Sequence, residues 1–168
     1  MFPVLGIDPG VNGGMCIVAP PGGEPIVVHA FHPKDREEDV VSTVVKYVEK
    51  AGRNNICLME KVGYIRGDGG KGAFTFGKVY GLLRGAVHST GVRIHDVSPM
   101  VWQTRMGCLT GGDKNVSKRR AQELFPYWVE SITHNTADAM LIARYGWQVY
   151  SGGIFSPLSP GQTAKRSN

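Results

Sequence analysis

The chain of 168 residues contains little cysteine and no long hydrophobic segment, and each shortage excludes a class of protein. Its three cysteines, Cys16, Cys57 and Cys108, are odd in number and widely spaced, which argues against a disulfide framework or a Cys-x-x-Cys metal site. No run of about 18 apolar residues is present, so we expect no membrane partner. The first residues lack the basic and apolar segments of a secretory signal, and we therefore expect a cytoplasmic protein.

Acidic residues are scarce in the second part of the chain, although the net charge is only +5. Residues 1–60 carry five Lys and Arg against eight Asp and Glu, whereas residues 61–168 carry fourteen against six. A basic excess concentrated after Glu60 suits a polyanionic partner such as a nucleic acid. A solvated basic surface would give the same count, so the charge alone leaves both interpretations open.

The hydrophobic pattern changes period along the chain and predicts an α/β fold. Three closely spaced β-like runs predict an antiparallel meander, and later strands are separated by segments of helical period. The predicted strands are 4–7, 14–18, 25–31, 56–59 and 92–95, and the predicted helices are 35–51, 73–89, 99–106, 116–124 and 135–150. We expect one domain over residues 1–150 and a flexible polar tail over 151–168.

Two acidic residues directly follow apolar strands. Asp8 ends the first strand and precedes the turn-forming residues Pro9 and Gly10, and Glu60 follows the apolar run 56–59. A carboxylate at the edge of a sheet can hold a divalent cation. The structural alternatives are that Asp8 caps the tight turn and that Glu60 pairs with Lys61.

A third carboxylate, Asp138, lies in the segment His134-Asn135-Thr136-Ala137-Asp138-Ala139, which leads into the last helix. His134, Asn135 and Asp138 project toward one side of the first turn. Asn135 could instead be the N-cap of this helix, and both roles are compatible. Three carboxylates with an Asn or His beside the last form a hard-ligand set that favours Mg²⁺ or Mn²⁺ over zinc.

The three motifs together resemble the RuvC family of Holliday junction resolvases, which belong to the RNase H-like superfamily. The resemblance covers roughly residues 4–150 and rests on Asp8 in Gly6-Ile7-Asp8-Pro9-Gly10, on Glu60, and on Asp138 in the segment 134–139. It implies a mixed five-stranded sheet of three antiparallel and two parallel strands, flanked by helices. It also implies a homodimer that nicks opposed strands of a four-way DNA junction, leaving 5′-phosphate and 3′-hydroxyl ends.

By the same resemblance, Asp8, Glu60 and Asp138 are metal-binding carboxylates for two Mg²⁺ ions, for which Mn²⁺ should substitute, and no small-molecule cofactor is implied. Many family members carry Asp or His three residues before the final Asp, where this chain has Asn135, with His134 one residue earlier. Whether His134 or Asn135 binds the second metal therefore stays open. The segment 99–103 is similar to the phage and prophage branch, which implies a bacterial or host cytoplasm.

Basic and aromatic side chains after Glu60 are candidates for DNA contact. Lys114 and Lys118 share one helix face at a spacing of four residues, and Lys118 or Lys114 could also assist catalysis. The alternative is a solvated basic helix. Aromatic rings near the site could stack on an unpaired base, although Phe76 is assigned to the core. The DNA-binding candidates are Tyr64, Arg66, Lys71, Phe74, Lys78, Arg84, Lys114, Lys118, Arg119 and Arg120.

Gly77, Gly81 and Gly85 recur every four residues on the second predicted helix. Each glycine costs a helix about 1 kcal/mol relative to alanine, so a stripe of three suggests that something approaches closely. Given the resemblance, we expect the partner subunit of a homodimer at this face. Packing against another helix of the same chain is the alternative.

Two other functions remain as alternatives. A catalytically weak, junction-binding architectural protein could share the fold, and the neutral Asn135 leaves this open. A dinucleotide-binding domain is suggested by the Gly-x-Gly-x-x-Gly pattern at 67–72, but such a motif should leave its strand directly, and residues 62–66 intervene here.

Overall fold

A mixed five-stranded sheet lies at the centre of the computed structural model, which describes residues 2–52, 54–63, 69–109 and 111–150. Strands β1 (Val4–Asp8), β2 (Gly14–Ala19) and β3 (Glu24–Ala30) form an antiparallel meander. Strands β4 (Ile56–Glu60) and β5 (Arg93–Val97) continue the sheet in parallel beyond β1, so that the order is β3-β2-β1-β4-β5. This arrangement confirms the predicted mixed sheet.

Helices cover both faces of the sheet because successive strand residues point to opposite sides. Helices α1 (Glu37–Ala51) and α2 (Gly70–Ser89) pack with the β-strand side chains of one face. Helices α3 (Pro99–Met106), α4 (Lys114–Leu124) and α5 (Ala137–Tyr150) pack with those of the other. In β1, for example, Val4 belongs to the core on the side of α3, α4 and α5, and the next residue, Leu5, belongs to the core on the side of α1 and α2.

Close packing of α5 against β1 depends on small residues at the contact. A Cβ atom added to Gly6 in β1 would lie 2.3 Å from the backbone nitrogen of Ala143 and 2.5 Å from the carbonyl oxygen of Ala139. Any side chain at Gly6 would therefore push α5 off the sheet. This contact holds the first turn of α5 near the end of β1.

Helix boundaries differ from the predicted ones where local caps decide them. Helix α4 begins at Lys114, earlier than predicted, because the Asp113 side chain accepts a hydrogen bond from the backbone N–H of Asn115 at 2.9 Å and caps the helix. Pro126 does end α4, as expected, but it also opens a 3-10 helix, Pro126–Ser131, that the pattern did not predict.

Helix α2 starts at Gly70 and α5 at Ala137, so Asn135 lies in the turn before α5 and is not its N-cap. The predicted tail, residues 151–168, lies outside the described residues. Within the described part, no helix is both long and apolar enough to cross a membrane.

Candidate active site

Asp8 and Glu60 meet at one edge of the sheet because their strands are parallel neighbours. Ile7 of β1 pairs in register with Met59 of β4, so the next residue of each strand is an acid at the carboxyl end. Asp138 comes to the same edge from the first turn of α5, which packs closely on β1. The three carboxylates predicted from separate motifs are thus neighbours in space.

Asp8 has the most strongly perturbed carboxyl group of the three. Burial, together with the negative charges of Glu60 and Asp138, raises its pKa to about 7, and the positive charge of Lys114 opposes the rise. Part of this rise comes from the neighbouring negative charges, and a cation bound at the same place would oppose them. A bound cation would therefore lower the pKa of Asp8 and return the carboxyl group to its charged form. Asp8 therefore lies within the electrostatic reach of both other acids and of one lysine.

Glu60 is held by a tryptophan and not by the adjacent lysine. The indole Nε1–H of Trp102 in α3 donates to Glu60 Oε2 at 2.8 Å. Burial raises the pKa of Glu60, as does the charge of Asp138, whereas the Trp102 hydrogen bond and Lys114 lower it. Lys61 is exposed, and its backbone N–H donates to the carbonyl of Val97 at 2.7 Å.

Asp138 carries an oxygen that has no protein partner in the described structure. Burial raises the pKa of this carboxyl, while a hydrogen bond to the Ser117 side chain and the charges of Lys114 and His134 lower it. Its Oδ1 atom is buried without a hydrogen bond among the described residues. A buried, unpartnered carboxylate oxygen is costly unless a cation or water satisfies it.

The segment before α5 places His134 and Asn135 differently. His134 Nε2 lies 3.1 Å from the side-chain Oδ1 of Asn115 in α4, and its charge acts on Asp138. The carbonyl of Asn135 packs so closely on β2 that a Cβ at Gly14 would lie 2.5 Å from it. The Asn135 backbone thus braces the turn against the sheet.

The donor set fits a hard divalent cation in its chemistry. Within the described residues, no three His, Cys, Asp or Glu side chains converge tightly enough to enclose an ion by themselves. However, Mg²⁺ is usually held by one or two carboxylates, with water and substrate phosphate completing its shell. Such a cation would reduce the repulsion between Asp8 and the two neighbouring acids. It would also give the unpartnered Oδ1 of Asp138 a ligand.

Lys114 and Lys118, which share one face of α4, differ in their electrostatic effect on the three acids. Lys114 is the first residue of α4, and its charge lowers the pKa of Asp8, Glu60 and Asp138 alike. Lys118 lies one turn further along the helix and is partly buried. Of the two lysines considered for catalysis, the electrostatics favour Lys114.

Two of the other basic candidates on α4 differ in their contacts. Arg119 is exposed. Arg120 donates from Nε to the carbonyl of Met106 at 2.7 Å and from Nη1 to Glu123 at 2.8 Å. These contacts favour a structural role for Arg120, since its guanidinium joins α4 to the end of α3.

On α2, Lys71 and Phe74 are exposed near the start of the helix, and the Phe74 side chain is 75% accessible. Lys78 instead forms an ion pair with Glu37. Phe76, assigned to the core, is only partly buried. Of the predicted DNA-binding residues, Tyr64 and Arg66 lie outside the described residues.

Arg84, another of the DNA-binding candidates on α2, is already engaged. Its guanidinium Nη1 donates to Asp96 on β5 and, at 2.9 Å, to the hydroxyl of Tyr80. Cross-element contacts of this kind anchor α2 to the sheet. They favour a structural role for Arg84 over a phosphate contact.

The glycine stripe of α2 faces open space within the part of the chain that the structure describes. Gly77, Gly81 and Gly85 are all exposed, and a Cβ added to any of them would meet no described atom within 4 Å. Packing against another described helix of the same chain is therefore not the reason for these glycines.

Three residues of the site escaped the sequence analysis. Trp102 was read only as part of a short helix, Ser117 as part of a basic helix, and Gly6 as part of a strand motif. None of them carries a sequence signal of its own, because each acts through a neighbour that is distant along the chain. Only the folded structure brings Trp102 to Glu60, Ser117 to Asp138 and Gly6 to α5.

Comparison with solved structures identifies the fold. The chain is similar to Thermus thermophilus RuvC in complex with a Holliday junction substrate, with 19% sequence identity and a TM-score of 0.67 over 86% of this chain and 92% of that one. A second T. thermophilus RuvC structure matches with 18% identity and a TM-score of 0.65, over 86% and 92%. The yeast mitochondrial Holliday junction resolvase matches with 14% identity and a TM-score of 0.54, over 84% and 76%.

No protein-family model matches the sequence, and no curated protein sequence matches it. At these identities the likeness establishes the fold, which is the RuvC-type, RNase H-like fold that the sequence motifs predict.

Proposed function

We propose that the protein is a Mg²⁺-dependent endonuclease that resolves Holliday junctions and related branched DNA. The observation that carries this proposal is the meeting of Asp8, Glu60 and Asp138 at one sheet edge, close enough that the charges of Glu60 and Asp138 add to the effect of burial in raising the pKa of Asp8 to about 7. The site lies on a fold shared with a RuvC that was solved on a Holliday junction substrate. Neither the fold nor the acids alone would suffice, and their coincidence supports this function.

The metal-holding residues in this proposal are Asp8, Glu60 and Asp138, with His134 or Asn135 completing the set. When bound, a pair of Mg²⁺ ions, which Mn²⁺ should replace, stabilises the attacking and leaving oxygens of an in-line phosphodiester displacement. In this proposal water attacks the phosphorus and the bond from phosphorus to the 3′ oxygen breaks, which leaves 5′-phosphate and 3′-hydroxyl ends.

The remaining residues of the site orient a metal-binding carboxylate or bind the DNA. Trp102 holds Glu60 by its indole N–H, and the exposed Lys114, whose charge reaches all three acids, can contact the phosphate next to the scissile bond. Lys71 and Phe74 extend the candidate DNA surface along the start of α2, with Lys118 and Arg119 on α4. Lysine contacts to phosphate position the DNA without reading its sequence.

Paired nicking requires two active sites, and we propose a homodimer that joins through the glycine stripe of α2. Gly77, Gly81 and Gly85 allow the backbone of a second chain to approach closely, and no other part of the chain among the described residues covers their face. Each subunit of such a dimer would cut one of two opposed strands.

A labelled four-way junction tests the proposal. With Mg²⁺ or Mn²⁺, the wild type should release nicked duplexes whose ends DNA ligase can rejoin, while Asp8→Asn should bind the junction without cutting it. Linear duplex of the same sequence is the substrate control, and Glu49→Gln, on the exposed face of α1, is the protein control. A wild type that binds junctions but releases no nicked product with either metal would refute the nuclease and leave the architectural alternative.

A further inference from the structure

We propose that Trp102 is a positioning residue that fixes the Glu60 carboxylate so that one of its oxygens is presented to a cation. This inference rests on the metal-dependent function proposed above and assigns a role to a residue outside the acidic set.

The contact joins a buried indole to a partly buried carboxylate. Trp102 lies in α3, a short helix bounded by Pro99 at its first position and by Gly107, whose φ of 70° ends it. The indole is buried in the core that α3 shares with α4 and α5, and its Nε1–H donates to Glu60 Oε2 at 2.8 Å. The two residues are 42 positions apart in the chain, so the bond is a tertiary contact.

The chemistry of the indole makes this bond directional. Tryptophan has a single N–H donor and no acceptor, so it can only donate, and here it donates to Oε2 of Glu60. A close-packed core prevents the ring from turning to another partner. Because Oε2 already uses one lone pair for the indole N–H, Oε1 is favoured as the oxygen that binds a cation. Hydrogen bonds that orient metal-binding carboxylates are typically worth about 10- to 100-fold in metal affinity or activity.

The chain supplies its own matched control in Trp147 of α5. Its indole Nε1 is also buried but has no hydrogen-bond partner among the described residues. The ring instead packs against the guanidinium of Arg144, 4.7 Å from the ring centroid. Replacing Trp147 by Phe therefore removes an indole N–H that has no hydrogen-bond partner in the described part of the chain, whereas the same change at Trp102 removes the support of Glu60.

A first measurement leaves the packing of Trp102 intact. The chain has three tryptophans, so its ¹H–¹⁵N spectrum contains three indole N–H signals, which the Trp→Phe variants assign. In metal-free protein, Glu60→Gln removes the charge of the acceptor and should shift the Trp102 signal upfield, because a bond to a charged acceptor is the stronger one. The signal of Trp147 should stay in place. A Trp102 signal that does not respond to Glu60→Gln would overturn the proposal.

A second measurement follows metal binding directly, by electron paramagnetic resonance of free Mn²⁺ during titration. We expect Trp102→Phe to weaken Mn²⁺ binding about 10-fold, and Trp147→Phe to leave it at the wild-type value. In a Glu60→Gln background, Trp102→Phe should add no further loss, because it acts through Glu60. Circular dichroism checks that each variant is folded, and if Trp102→Phe does not fold, the indole signals decide.

The outcomes separate this inference from the proposed function. A wild type that binds Mn²⁺, loses affinity on Trp102→Phe and does not cut junctions refutes the nuclease but supports the positioning role. A wild type that cuts junctions, with a folded Trp102→Phe variant of unchanged Mn²⁺ affinity, refutes the positioning role alone. A wild type that binds no Mn²⁺ overturns both.

Discussion

Replacing Asp8 by Asn should stabilise the metal-free protein, and the gain should grow with pH. Burial and two neighbouring acids raise the pKa of Asp8 from 3.8 to about 7 in the folded state. Between these two values the folded protein holds a proton that the unfolded chain has released. Stability from this group is therefore lost as the pH rises from about 4 to about 7. Asn has nearly the shape of the protonated acid and cannot ionise.

The size of the effect follows from the shift. One pKa unit corresponds to about 1.36 kcal/mol, so a shift of roughly three units amounts to about 4 kcal/mol in full. At pH 5 the unfolded acid is already mostly ionised, and Asp8→Asn should be more stable than the wild type by about 2 kcal/mol. At pH 8 both states of the wild type are ionised, and the advantage should reach about 4 kcal/mol.

Urea unfolding in EDTA at pH 5, 6, 7 and 8 measures this difference. Glu49→Gln is the control, because it also replaces an acid by its amide, at an exposed position of α1. Adding Mg²⁺ at pH 8 should stabilise the wild type and narrow the gap, since an ion that binds only the folded state raises its stability.

A gain for Asp8→Asn that is equal at pH 5 and pH 8 would show that Asp8 is not held in a buried cluster of acids. A variant less stable than the wild type at pH 8 would contradict the reasoning outright.

Three further predictions concern packing, DNA contact and assembly. Gly6→Ala should destabilise the protein by about 1–3 kcal/mol and lower its melting temperature, because the new methyl group meets the backbone of α5, whereas Gly72→Ala, in the exposed first turn of α2, should be neutral or stabilising. Lys114→Ala and Lys118→Ala should each reduce the slope of log binding constant against log salt concentration for the junction by about one unit. Only Lys114→Ala should also slow the cleavage of bound junction. A lysine whose replacement leaves the slope unchanged makes no phosphate contact and belongs to the solvated surface. Gly81→Arg should convert a dimer into a folded monomer in sedimentation equilibrium, and a persistent dimer would exclude the glycine stripe as its interface.

The order of the elements was predictable from local pattern. Short β-like runs separated by turn residues predicted the meander β1–β3, and the valines recurring at helical spacing predicted a helix, α1, whose Val44 and Val48 are buried. Boundaries were less predictable. Helix α4 begins where Asp113 caps it, and the 3-10 helix after Phe125 was missed, because both depend on short-range hydrogen bonds that hydrophobic periodicity does not encode.

The candidate site divides in the same way. Asp8, Glu60 and Asp138 stood out because an acid directly after an apolar strand, or at the start of an apolar helix, is visible in the sequence. The residues that contact these acids and shift their pKa values did not stand out in the sequence. Trp102 reads as an ordinary core residue, and nothing along the chain indicates that it donates to Glu60.

By itself, the sequence determined the fold class, the three acids and the basic character of the chain after Glu60, since these follow from residue type and local spacing. Tertiary structure decided which lysine reaches the acids, which arginines are already bonded within the protein, and which oxygen of Glu60 accepts the indole N–H of Trp102. The physical reason is the distance along the chain over which each kind of interaction acts. Periodicity and caps act over a few residues, whereas burial, electrostatic coupling and directed hydrogen bonds depend on distances that exist only after β1, β4 and α5 have packed together.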